Sequence, residues 1–187
     1  MHYIDYIKNA KTFKEEPFNE VDGLVFSALS YLDFSTVLNK SKTIKLKNIT
    51  YDNIKDICKN SRKPKVNEEF LSSLINSVRY NNIKIINQTT IKDIEEEKQF
   101  SAITVKISLL NAVIAFRGTD SSVLGWKENF NMGYMDQVPA QLEASKYLYK
   151  MFKRKRFSKF YVVGHSKGGN LAYYSVLHNT NIKYRIH

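Results

Sequence analysis

The chain has 187 residues, of which 43% are hydrophobic and 13% aromatic, enough for one domain with a sizeable core. Its formal net charge is +11, but lysines outnumber arginines 23 to 6 along the chain, which disfavours nucleic-acid binding because phosphate and base recognition favour arginine. No stretch approaches the roughly 20 apolar residues that span a bilayer, and the first residues lack the features of a signal peptide, so we expect a cytoplasmic domain.

The first half of the chain predicts helices. Residues 1–17 are polar and aperiodic, which suggests a loose arm. A helix is predicted after Pro17, capped by Asn19, and a second one is predicted to be capped by Asn67, because apolar residues then recur on one face. Neither helix buries its apolar stripe alone. We therefore interpret residues 18–94 as a helical cap or supporting layer within a single domain that covers residues 1–187.

The second half predicts an α/β core. Residues 82–86 form a candidate short strand, and an acidic run at 93–97 indicates a turn. Alternating apolar residues at 101–107 predict a strand that pairs antiparallel with the apolar run Ala112–Phe116. A long helix over residues 137–156 then leads to a buried strand at 158–163. That order favours a crossover connection, with the last strand parallel to Ala112–Phe116.

The last predicted strand ends in the sequence Gly164-His165-Ser166-Lys167-Gly168, a G-x-S-x-G pattern. Leu171, Ala172, Val176 and Leu177 follow at helical spacing. A tight strand-to-helix turn with glycines on both sides of a serine is typical of a nucleophile elbow, which exposes the serine hydroxyl. The alternative is a glycine-rich loop with an incidental serine.

An upstream stretch strengthens this interpretation through a resemblance. The apolar strand that ends in Phe116-Arg117-Gly118-Thr119, with Trp126 shortly after it, resembles the F-R-G-[ST] and tryptophan region of class 3 lipases. Together with segments 18–24 and 29–34, it makes the chain similar to the Mbeg1-like family of lipase-like bacterial proteins. The resemblance implies an α/β-hydrolase-like core in which a hairpin precedes the oxyanion turn.

These patterns assign roles to residues. Ser166 is the candidate nucleophile, and the backbone N–H groups of Lys167 and Thr119 are candidate oxyanion donors, with the Thr119 hydroxyl as a further donor implied by the lipase motif. We interpret Asp120 as a turn acceptor rather than a catalytic acid. Trp126 is expected in the core, with lining of an acyl pocket as the alternative. Support of the two turns is assigned to Gly164, His165, Gly168, Gly118 and Arg117, the last through a buried or half-buried ion pair.

The remaining partners of a catalytic triad are absent from the expected positions. In α/β hydrolases the acid and the histidine follow the serine, yet the 21 residues after Ser166 contain no Asp or Glu. His178 lies about 18 Å along the following helix, too far to reach the hydroxyl. The sequence therefore suggests either a C-terminally incomplete core or a short form without a triad. If the chain consists of residues 1–187 alone, the last strand would expose an edge that favours self-association.

The functional expectation is a serine hydrolase of the lipase or esterase type that acts on an ester or a lipid-like compound. The alternative is a non-catalytic protein that keeps the fold and binds a protein partner or an anionic membrane surface. Neither a cofactor nor a metal is expected, since Cys58 is the single cysteine and the histidines show no ligand spacing.

Overall fold

The computed structural model describes residues 3–120, 122–154 and 157–187. Within these ranges the chain forms eight α-helices and five β-strands, with short 3₁₀ turns at Leu46–Asn48 and Thr180–Arg185. In chain order the elements are α1 Tyr3–Asn9, α2 Glu20–Leu29, α3 Ser35–Lys40, β1 Ile44–Lys45, α4 Tyr51–Cys58, α5 Pro64–Asn76, β2 Lys84–Asp93, β3 Lys98–Lys106, β4 Asn111–Phe116, α6 Val123–Asn131, α7 Pro139–Lys153, β5 Lys159–Gly164 and α8 Lys167–Leu177.

The strands form one mixed sheet in the order β1-β2-β3-β4-β5. The β3–β4 hairpin is antiparallel, with Ile103 opposite Ala115, and β5 joins β4 in parallel, with Val113 beside Tyr161. Both pairings confirm the prediction. The parallel pairing is possible because the connection between β4 and β5 is long and contains a helix, α7. The chain therefore has a mixed α/β fold with the two predicted motif strands side by side.

Helices cover both faces of the sheet. Alternate residues of β3 and β4, including Ile103, Val105 and Val113, belong to a core shared with helices α1 to α5. Their neighbours, including Ala102, Ile114 and Phe116, belong to a second core with α7 and α8. This alternation follows from the two-residue period of a strand, and it produces a helix-sheet-helix arrangement with two apolar cores.

The segment 18–94 contributes more than helices. Helices α2 to α5 fall in it and supply much of the first core, but β1 and β2 fall in it too. Strand β2 covers Lys84–Asp93 instead of the predicted 82–86, since it pairs with β3 along nearly its whole length. The polar run of Asn87 to Thr90 hides this strand from a reading of the apolar pattern.

Helix starts are confirmed for α2 and corrected for α5. Asn19 caps α2 and accepts hydrogen bonds from the N–H groups of Val21 and Asp22. The prediction that Asn67 caps the next helix is wrong, because α5 begins at Pro64. Proline is favoured in the first helical turn, where its missing N–H has no partner to lose.

The expectation of a loose N-terminal arm is also wrong for the described residues. Helix α1 buries Ile4 and Ile7 in the first core. Arg79 then fixes the segment that follows, because its guanidinium donates to the carbonyl oxygens at positions 11, 16 and 17 and twice to Asp22, at 2.8 and 2.5 Å. Tyr80 adds a hydrogen bond from its hydroxyl to Asp22. A buried guanidinium with every donor satisfied is a strong anchor.

None of the described helices combines the length and the apolar character that crossing a membrane requires.

Candidate active site

Ser166 occupies the tight turn between β5 and α8. Its φ of 57° and ψ of −128° place a non-glycine residue in a region that costs of order 1–3 kcal/mol. The residue is exposed, and the helix begins at the next position, Lys167. The strain thus falls on the serine itself and turns it outward, which is the geometry of a nucleophile elbow.

The glycines of the motif are needed for close approach rather than for their own backbone angles. None of the glycines has a positive φ. A Cβ on Gly168 would collide with the carbonyl oxygen of Phe116 and lie 3.0 Å from the carbonyl carbon of Arg117. A Cβ on Gly118 would lie 2.6 Å from the carbonyl oxygen of His165, and one on Gly164 would strike the backbone of Gly168. The turn after β4 therefore lies directly against the elbow.

Three donors beside the elbow have no acceptor among the described residues. The backbone N–H groups of Lys167 and Thr119 make no hydrogen bond to them, whereas that of Gly168 donates to His165 at 3.0 Å. The hydroxyl oxygen of Thr119 is buried and likewise unpartnered. Free N–H groups at the start of a helix and in an adjoining turn can stabilise a developing negative charge.

The Lys167 side chain forms a buried ion pair that the sequence did not predict. Its ammonium lies 2.5 Å from the Glu128 carboxylate, with both side chains fully buried, and donates to the Gln99 carbonyl oxygen at 2.8 Å. Burial lowers the pKa of Lys167, although Glu128 opposes that shift. The ammonium is therefore committed to structure and is unsuited to take a proton from Ser166.

Glu128 gathers several elements around this lysine. Its carboxylate also accepts from the N–H of Gln99 at the start of β3, at 2.9 Å, and from the N–H of Ala140 in α7, at 2.8 Å. Helix α6, which carries Glu128, is thereby tied to β3, α7 and α8. This burial has no signal in the sequence, because Glu128 is a charged residue between two other polar residues, Lys127 and Asn129.

Arg117 and Asp120 are partly paired at the turn after β4. The Arg117 guanidinium approaches the Asp120 carboxylate only to 3.8 Å, and the two side chains are 15% and 20% exposed. Asp120 accepts hydrogen bonds from the backbone and hydroxyl of Ser122 and lies 3.0 Å from the Lys92 ammonium. Burial would raise the pKa of Asp120, but the contacts with Ser122 and Lys92 outweigh it and lower the pKa to about 2. Asp120 is therefore a turn acceptor that stays ionised.

Ser166 opens into a cleft of about 1200 Å³ that Thr119, Arg117 and His165 also line. Trp126 lines the cleft as well and is 53% exposed, so the expectation that it lies in the core is wrong. The reason is the short α6, whose inward face is taken by Glu128 and Gly125. Sequence reasoning missed further lining residues, among them Tyr31, Asp33, Arg62, Lys63 and Lys92.

The three histidines that the structure describes do not complete a catalytic pair with Ser166. His165 is exposed in the turn itself. His178 stacks on Tyr174 with ring centroids 3.8 Å apart at the far end of α8, and the His187 N–H donates to the Phe160 carbonyl oxygen of β5 at 2.9 Å. Within the described residues no three His, Cys, Asp or Glu side chains form a group able to hold a metal ion. The buried Cys58 lies in the first core.

A known protein family matches the part of the chain that contains Ser166 and both turns. A family model described as Mbeg1-like matches residues 74–187, more than half of the chain, including both turns and the cleft residues between them. No curated protein and no solved structure gives a significant match to the chain. The extent of the family match shows that the chain belongs to the Mbeg1-like family.

Proposed function

We propose that the chain is a serine hydrolase of the lipase or esterase type, built on an α/β-hydrolase-like core with an N-terminal helical layer. The observation that carries the proposal is the strained, exposed Ser166 beside three donors that have no described acceptor. Such strain persists only where the surrounding backbone fixes it, and it clusters at functional sites. The close packing of Gly118 and Gly168 provides that support.

The proposed reaction is acyl transfer. The Ser166 oxygen bonds to the carbonyl carbon of a carboxylic ester while its proton passes to a general base, a role that no described histidine or carboxylate in contact with the hydroxyl fills. The resulting oxyanion accepts hydrogen bonds from the N–H groups of Lys167 and Thr119 and from the Thr119 hydroxyl. Collapse breaks the ester C–O bond, and the alcohol leaves with the proton. Water then attacks the acyl-enzyme, which releases the carboxylic acid and restores the serine.

A second candidate function rests on a different observation. The Ser166 hydroxyl makes no hydrogen bond to any described histidine or carboxylate, so the site shows no base in contact with it. A family member that keeps the fold and the cleft but uses them for binding or assembly, with a protein or an anionic membrane surface as partner, accounts for this arrangement. The two candidates differ in whether Ser166 becomes acylated.

Ester hydrolysis separates the candidates. We expect the protein to hydrolyse p-nitrophenyl esters, and Ser166→Ala to lower kcat by about 10³-fold or more, because the nucleophile is lost. Ser158→Ala is the matched control, since Ser158 is exposed at the opposite end of β5. Activity that survives in Ser166→Ala would refute the assignment of the nucleophile. A folded wild-type protein that binds esters without hydrolysing them would favour the binding function.

A further inference from the structure

We propose that the cleft holds an anionic group, a phosphate or a carboxylate, on the guanidinium of Arg117, so that its substrate is an acyl ester bearing a negative charge. The substrate class rests on the proposed hydrolase function. The anion site itself rests only on the structure of the cleft and can be tested without catalysis.

The Arg117 guanidinium is a buried cation without a hydrogen-bond acceptor among the described residues. Its Nε and Nη2 atoms are inaccessible to water and unpartnered, while the side chain as a whole retains 15% exposure and lines the cleft. Burial lowers the pKa of this arginine. A desolvated donor left unpaired is costly, and the planar fork of a guanidinium matches the two oxygens of a carboxylate or phosphate. An anion in the cleft would approach the part of the side chain that remains exposed, and its charge would compensate the buried guanidinium.

The nearby carboxylates do not neutralise this charge. Asp120 lies 3.8 Å from Arg117 but only 3.0 Å from the Lys92 ammonium, and it also accepts from Ser122. Asp33 is exposed and accepts from the backbone N–H of Ser35. Around the cleft as a whole, four basic side chains face two acidic ones: Arg62, Lys63, Lys92 and Arg117 against Asp33 and Asp120. The cleft therefore has a net positive charge that attracts anions.

The position of Arg117 connects the anion to the proposed chemistry. Arg117 stands two residues before Thr119, and Gly118 between them packs against the His165 carbonyl oxygen. Arg117, Thr119 and Ser166 all line the same cleft. A single ligand can therefore place its anionic group at Arg117 and its ester carbonyl at Ser166. A neutral ester offers Arg117 no charged acceptor and should bind less well.

Anion binding can be measured on Ser166→Ala protein, which removes turnover. We expect glycerol 3-phosphate and inorganic phosphate to bind in calorimetric titrations at constant ionic strength in chloride. Arg117→Gln should weaken that binding about tenfold or more, because a charge-assisted contact is lost. The matched control is Arg154→Gln, which makes the same change in charge at an exposed residue outside the cleft and should leave affinity within about twofold.

A second pair of variants tests the proposal without touching Arg117. Asp120→Asn keeps an acceptor for Ser122 but removes the nearest negative charge, so we expect phosphate to bind several-fold more tightly. Asp56→Asn changes charge equally at an exposed residue of α4 that does not itself line the cleft, and should have little effect. This pair of variants tests the anion site even if Arg117→Gln fails to fold.

Three results would overturn the anion site. Equal losses in Arg117→Gln and Arg154→Gln would indicate bulk charge alone. Binding to vesicles of anionic phospholipid without binding of soluble phosphates would assign the charge to a membrane surface. Unchanged affinity in Asp120→Asn would show that Arg117 does not face the anion. Phosphate binding by a protein whose Ser166 is unreactive would instead reject only the hydrolase function.

Discussion

A buried ion pair lies directly beside the elbow. The Lys167–Glu128 pair is fully buried, and Glu128 also satisfies two backbone N–H groups. Taking two ions out of water is expensive, and the pair persists because each charge meets several partners. The residue that follows the proposed nucleophile is thus held in place by its side chain.

We expect Lys167→Met to lower the free energy of unfolding by about 3–5 kcal/mol, because it leaves the Glu128 carboxylate buried without its cation. The double variant Lys167→Met/Glu128→Gln should recover part of that loss, since a neutral amide can still accept from Gln99 and Ala140. Urea unfolding of the wild type, both single variants and the double variant gives the coupling energy. A loss below about 1 kcal/mol in Lys167→Met would show that the pair is not buried in solution.

Asp120 gives a prediction about pH. Its pKa of about 2 lies below the ordinary value of 3.8, so its ionised form is favoured by folding. That stability is fully present above about pH 4 and is lost as the pH falls towards 2. We expect the difference in unfolding free energy between wild type and Asp120→Asn to be about 2 kcal/mol at pH 5 and to shrink towards pH 2. A difference that is constant over this range would contradict the pairing with Lys92 and Ser122.

The environments of individual residues were the hardest feature to predict from the sequence. The G-x-S-x-G spacing located the elbow, and the apolar strand before Gly118 located the second turn, because local patterns encode local geometry. Burial of Lys167 and Glu128 could not be read in this way, since the two residues are 39 positions apart and each looks like an ordinary surface charge. Trp126 misled for the opposite reason, because a large aromatic residue is expected in a core.

At the scale of elements, the contact between the β4 turn and the start of α8 depends on glycine. We expect Gly168→Ala to lower the free energy of unfolding by several kcal/mol, because its Cβ would collide with the Phe116 carbonyl oxygen, which cannot move without breaking the β4 turn. Gly23→Ala is the matched control within a helix. Its nearest neighbour, a methyl group of Val163, lies 3.7 Å away, so it should stabilise α2 by about 0.5–1 kcal/mol.

Thermal or urea unfolding of the two alanine variants tests this contact. Equal and small effects at positions 23 and 168 would mean that the two turns do not touch. The contrast matters for function, because the Gly168 approach is what brings Thr119 to the same cleft as Ser166. Helix and strand patterns predicted β3, β4, β5 and α8 well, whereas the extent of the polar strand β2 and the start of α5 were wrong.

At the scale of the whole molecule, β5 lies at the end of the sheet. Beyond β4, the described residues pair with β5 only where Phe160 meets Ile186 and His187, and an apolar groove of about 630 Å³ runs beside Val162 and Val163. An open strand edge with apolar flanks is a template for association. We propose that copies of this chain self-associate along β5.

Val162→Pro tests that proposal. Because Phe160 points its carbonyl oxygen to the free edge, the alternate residue Val162 points its N–H the same way, so proline there removes an outward donor and no bond to β4. We expect wild-type protein to show concentration-dependent association in sedimentation velocity and Val162→Pro to reduce it. A wild-type protein that stays monomeric at all concentrations would contradict the proposal.

We propose that the elbow makes Ser166 reactive, and fluorophosphonate labelling with intact-mass readout tests this reactivity most directly. The probe reacts only with an activated serine. We expect wild-type protein to gain one adduct, Ser166→Ala to gain none, and Ser158→Ala to label like the wild type. A cooperatively folded wild-type protein that gains no adduct would contradict the claim and leave a cleft that binds without acyl transfer.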